Sequence, residues 1–244
     1  MRCFCGRPAL ESGYCPYHDP NCVRDKRCRR SLAFTPDCEG CNLPGGEVFD
    51  SAPRLRGAKI HGPLIVQYVV GDVDLSEARG ADLYIHSVRG AVRLGGSRFR
   101  NIYIDTVEGG VDLTGARAVG VVLWSVKGSV AAGGLSAGGH VSVVDAAGPV
   151  ALGGAKIAGE LIVEGVRGTL QAGASAYSIS IYKLRGEASL SGASTEGDIR
   201  VVESQGERLD LSGVEVGGRV YILASKFGGV RVDKQEVLKK LVVL

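Results

Sequence analysis

All seven cysteines of this chain fall within its first 41 residues, and their spacing repeats. Cys5-x9-Cys15-x2-His18 is followed by Cys28-x9-Cys38-x2-Cys41, and each block is preceded by one further cysteine, Cys3 and Cys22. With His18 the set makes eight ligands, which divide into Cys3, Cys5, Cys15 and His18 on one ion and Cys22, Cys28, Cys38 and Cys41 on another. Thiolates and imidazole in fours suit tetrahedral Zn2+, and a closed set of four marks a structural ion with no position left for a reacting water. The spacing therefore predicts two structural zinc ions. Gly6, Pro16, Pro36 and Gly40 stand beside the ligand pairs and supply turn chemistry. A head of about 40 residues buries too little apolar surface to fold unaided, and metal binding would supply the missing free energy. The alternatives are a disulfide framework, which leaves one cysteine over, an interleaved pairing of ligands, or Asp19 or Asp37 in place of a weak ligand.

Inside this head, Arg24, Lys26, Arg27, Arg29 and Arg30 place five basic residues within seven positions. Radiating from a rigid knuckle they would suit phosphate, so a nucleic-acid or ribonucleoprotein partner is one expectation and a solvated charge run the other. Elsewhere charge decides nothing, because 29 Lys/Arg oppose 26 Asp/Glu for a net +3 spread along the chain. Asn and Gln are scarce and Met occurs once, a pointer to a thermophilic source. No apolar run is long enough to span a bilayer, and Met1-Arg-Cys-Phe-Cys5 leaves no room for a signal peptide, so a soluble cytoplasmic protein is expected.

Cys5-Gly-Arg-Pro-Ala-Leu10, with Tyr14-Cys15-Pro-Tyr-His18 behind it, resembles the short CGxPAL…YCxxH zinc knuckles that open many bacterial and archaeal proteins. The resemblance implies zinc and no substrate. It departs from the usual Cys-x2-Cys opening, since Cys3 and Cys5 are separated by one residue.

Behind the head the chain repeats. Gly57-Ala-Lys-Ile-His-Gly-Pro-Leu-Ile-Val66 returns as Gly154-Ala-Lys-Ile-Ala-Gly-Glu-Leu-Ile-Val163, and glycines at 71, 90, 109, 128, 148, 168, 186 and 206 step by 18 to 20 residues. Within a unit the apolar positions advance by five: Val92, Ser97, Ile102 and Val107 lead four quintets whose centres are Leu94, Phe99, Ile104 and Gly109. Four quintets per turn predict a coil of very short strands, stacked about 4.8 Å apart so that successive turns pair in parallel. Small residues at 76, 95, 114, 133, 153, 173, 191 and 212 mark one corner.

This pattern resembles the pentapeptide-repeat family, which implies a right-handed quadrilateral β-helix over residues 57–227. It departs from that family where Gly replaces the central Leu or Phe of the fourth quintet. A solenoid of similar pitch and different cross-section is the alternative. The expected organisation is a mainly β chain with a double zinc module over 1–47, a β-solenoid over 48–232 and a capping helix over 233–244. In that last segment Asp233-Lys-Gln-Glu236 matches a capping box, and Val237, Leu238, Leu241 and Val242 would share one helical face, serving as a lid or a dimer contact.

No acidic ladder, Walker loop or nucleophile elbow is found, so catalysis is not expected and no small-molecule substrate is evident. The third quintet is more telling. Its outward rows carry Tyr84, Tyr103 and Tyr221 beside Trp124, Val144 and Tyr182, where a solvated strand would alternate with polar residues. Such a surface is expected either to be covered by the head or to receive a protein partner or second copy, with no membrane involved. The reading is a non-enzymatic scaffold that presents this face to a protein; the alternative is a zinc-dependent nucleic-acid binder.

Overall fold

The computed structural model describes residues 3, 9–13, 15–16, 18–19, 21–22 and 37–244. From Asp37 onward the chain winds into a parallel β-solenoid of about 11 turns, with about 19 residues in each. Eleven-, nine- and six-stranded sheets wall the tube. Their strands pair in parallel and in register from one turn to the next, as Leu83 with Ile102, Ile102 with Val121 and Val121 with Val141.

The five-residue step explains the core. In one turn Val92, Leu94, Ser97, Phe99, Ile102, Ile104 and Val107 all point inward and are buried. Volumes compensate between turns, because the Phe99 ring lies against Gly80, where a Cβ would come within 2.7 Å of it. Where the fourth quintet would place another large side chain, the marker glycines stack instead. A Cβ on Gly90 would overlap the carbonyl of Gly71, and one on Gly109 that of Gly90. That side of the tube closes backbone to backbone, which is why Gly stands there.

Two corners recur. At one, tight turns close with bonds such as Ala78 N to Leu75 O at 3.1 Å and Ala116 N to Leu113 O at 2.9 Å. The third residue of each turn has positive φ, as in Gly96, Gly115 and Gly134, the signature of a type II turn. The small residues expected at the corner occupy the preceding turn position. The other corner, at the end of the long strands, is left-handed at Tyr68, Ser87, Thr106, Ser125, Asp145, Lys183, Glu203 and Ala224, with a glycine, Gly165, in just one of these turns.

Both ends depart from expectation. At the front, the stack already includes residues 37–47: Cys38 N donates to Arg54 O at 3.0 Å and Lys59 N to Cys41 O at 2.7 Å. Cys38, Cys41 and Leu43 join the same apolar core as the coils. At the back, the helix spans only Gln235–Lys240, and Leu241–Val243 leaves it to pair in parallel with Val220–Ile222. The expected helical face is therefore split, because pairing the exposed sheet edge satisfies more backbone groups than another helical turn would. The capping box does not form either. Lys234 is the N-cap, without a side-chain cap bond, and the Asp233 carboxylate accepts from Gly213 N at 2.9 Å. No helix among the described residues is long and apolar enough to cross a membrane.

Candidate metal centre

Cys15-Pro-Tyr-His18 is a tight turn, with His18 N and Asp19 N both donating to Cys15 O at 2.8 and 3.0 Å. It sets the Cys15 Sγ 3.0 Å from His18 Nδ1, and Cys3 Sγ reaches the same nitrogen at 3.7 Å. All three side chains are buried, and their ligand atoms lie within 4.8 Å of one another. Sulfur and nitrogen on a tetrahedral zinc stand roughly 3.6 Å apart, given Zn–S near 2.3 Å and Zn–N near 2.05 Å, so the Cys3–His18 pair has that spacing, while the Cys15–His18 pair would have to open by about half an ångström to admit an ion.

The imidazole supplies a second test. His18 Nε2 lies 2.9 Å from the carbonyl oxygen of Glu39. A carbonyl can only accept, so Nε2 donates to it, and Nδ1 is the nitrogen that faces the two sulfurs. Metal-bound histidines are oriented in this way by a backbone or carboxylate acceptor behind the ring. Asn42 holds the same loop from below, donating through Nδ2 to His18 O at 2.7 Å. Since Glu39 and Asn42 belong to the first turn of the tube, the site is seated on the end of the solenoid. Asp19 is engaged otherwise: its carboxylate accepts from Ser12 Oγ and Asn21 N, both at 2.8 Å, which makes it a loop brace.

Of the second expected set, Cys22, Cys38 and Cys41 are buried. The Cys38-Glu-Gly-Cys41 turn brings its two sulfurs into direct contact as a disulfide, with Cα atoms 5.5 Å apart. Cys5, Cys28 and the basic residues Arg24, Lys26, Arg27, Arg29 and Arg30 lie outside the described residues.

The aromatic positions gather on the eleven-stranded sheet. Tyr84 and Tyr103 are in register and stack with ring centroids 5.2 Å apart, at 41% and 40% exposure. Trp124, 55% exposed, sits one row over and pairs with Asp105 and Val144. Tyr182 continues Trp124's row, and Tyr221 lies in the Tyr84 row with the Arg200 guanidinium 6.0 Å above its ring. Beside them His86 meets Asp105 at 2.7 Å, an exposed pair of small energetic weight. Among the described residues, nothing of the head covers this face, where such covering was one expectation.

Comparison with family models, curated proteins and solved structures gives no match.

Sequence reading missed the roles of Glu39 and Asn42, which act through a carbonyl and an amide that no spacing rule singles out. It also passed over a row of cations at 19- and 20-residue intervals, Lys59, Arg79, Arg98 and Arg117, which periodicity alone could have found.

Proposed function

We propose that this chain is a non-enzymatic scaffold whose Cys/His head holds two structural zinc ions and whose long-stranded sheet docks a protein partner. Cys3, Cys5, Cys15 and His18 would hold the first ion, and Cys22, Cys28, Cys38 and Cys41 the second. Once reduced to two thiolates, the CxxC turn that closes a disulfide is equally shaped to clamp one ion. The coil is read as the pentapeptide type, since its inward positions advance in fives.

The observation that carries the partner reading is the outward apolar surface of a parallel sheet. Parallel sheets are ordinarily covered on both faces, and contiguous apolar patches seldom stay bare. Here Tyr84, Tyr103 and Trp124 are exposed, while Val122, Val144 and Ile162 are half-buried among them. Aromatic anchors amid flat β-branched surface are the composition of an interface centre.

A photo-crosslinking residue in place of Trp124, compared with the same residue in place of the exposed Thr114 on another side, tests this in the native host. A discrete adduct from position 124, absent from position 114 and absent when Tyr84 and Tyr103 are Ala, is the expected result. Equal labelling from both positions, or only self-adducts, would overturn the docking of a different protein on this face.

A further inference from the structure

On the side of the tube walled by the six-stranded sheet, Lys59, Arg79, Arg98 and Arg117 occupy one outward row. Each bridges the next in parallel: Lys59 to Arg79, Arg79 to Arg98 and Arg98 to Arg117. All four are exposed. At the spacing of paired strands they form a straight line of four cations about 14 Å long. The row then continues through Ser136 to a fifth cation, Lys156.

Carboxylates near this line are already committed. Glu77 binds Arg56 at 2.8 Å, and Asp82 takes both the Arg100 guanidinium and Asn101 Nδ2. The hydrogen bond from Arg100 holds the Asp82 carboxyl below the usual carboxylate range. No ion pair reaches Lys59, Arg79, Arg98 or Arg117 among the described residues. Like charges placed opposite one another on neighbouring strands repel and reduce stability. Another outward row of the same tube avoids this, with Glu108 set between Arg89 at 3.7 Å and Lys127 at 3.0 Å. Four cations in register, with no ion pair among the described residues, therefore call for an anion from outside.

We propose that this ladder binds the sugar–phosphate backbone of a nucleic acid, running along the axis of the solenoid. A line of cations matches a ligand whose charge is itself linear. Three of the four are arginines, whose planar forks pair bidentately with phosphate oxygens. The row on one flank is glycine at 57, 96, 115 and 134, with Glu77, paired to Arg56, at the remaining place, leaving a shelf beside Arg98 and Arg117 along which a strand can lie. That shelf carries no apolar side chain of the kind that anchors a protein in a lipid interface. This inference is independent of the aromatic face and of the basic run at 24–30.

Fluorescence anisotropy of the full chain with a labelled 12-nucleotide single strand and a 12-base-pair duplex, from 50 to 200 mM salt, tests it. Four phosphate contacts predict a log–log salt slope of about −3 to −4. Replacing Arg79, Arg98 and Arg117 together by Ala should flatten that slope by two to three and weaken binding at least about tenfold at low salt. A single Arg98→Glu should weaken it nearly as much. These side chains point outward, so the circular dichroism spectrum and unfolding midpoint should be unchanged or slightly raised. The proposal is overturned if the triple variant binds like the wild type, if neither oligonucleotide binds, or if only phosphatidylserine vesicles are retained. It is equally overturned if changing Arg27, Arg29 and Arg30 to Ala removes all binding while the ladder variant keeps it.

Discussion

Among the described residues up to Asn42, the groups hidden from water are sulfurs, an imidazole and the amide and carboxylate that brace them. In the coils behind, they are almost entirely aliphatic. Cys3, Cys15 and His18 are held within reach of one another by short turns and by single bonds to Glu39 and Asn42. Leu83, Ile102, Val121 and Val141 are instead held by identical neighbours above and below, each turn templating the next. On the proposed reading the head would concentrate its stability in one or two ions, whereas the body spreads it over many equivalent contacts. A single chemical change should therefore collapse the first and only dent the second.

Removing metal should have the largest effect. With structural zinc bound as proposed, chelation at neutral pH would forfeit a binding free energy on the order of 10 kcal/mol per ion. Cys3 and Cys15 should then react with a thiol reagent, while the far-ultraviolet β signal of the coils persists. If the coils melt together with the head, the two regions are one cooperative unit and the contrast fails. Because the first turn of the tube shares Cys38 and Cys41 with the head, loss of one rung is the expected spread.

Within the body, the glycine stack is the place where many small contacts depend on one position. Gly109→Val would drive a side chain into the Gly90 carbonyl, which backbone cannot yield without parting two turns. A loss of roughly 3 kcal/mol or more is expected in denaturant unfolding, above the usual cost of overpacking. A loss below about 1 kcal/mol would mean that the turns adjust more freely than the stack implies.

The smallest effect runs in the opposite direction. Ser97 is fully buried, and its Oγ finds no hydrogen-bond partner among the described residues. Ala78 and Ala116 occupy the same inward position on the adjoining turns. Ser97→Ala should therefore stabilise the body by about 1 kcal/mol, the cost of a buried hydroxyl left unsatisfied. A destabilised Ser97→Ala would point to a water or partner group that serves this hydroxyl.

How legible these features were depended on whether they repeat. Inward positions at five-residue steps were readable because a stacked coil must bury the same positions on every turn, and the marker glycines because backbones meet there. The His18 turn was readable because a CxxH pair has to aim two donors at one point. The left-handed corner at Ser87, Thr106 and Ser125 was not, since those residue types signal no positive φ and only the geometry of the neighbouring turns imposes it. Nor was the fate of Leu241 and Val242, whose apolar pattern suits a helix face as well as a strand.

Taken alone, the order of residues determined the period, the burial pattern and the candidate ligands, since each of these is a local or repeating property of the chain. Tertiary structure decided which nitrogen of His18 faces the sulfurs, where the first turn begins and how the last sheet edge is closed. It also set four cations in one line without carboxylate partners among the described residues. Those outcomes depend on groups far apart in sequence competing for the same backbone donors, acceptors and space, and such competition is resolved only when the coils are stacked.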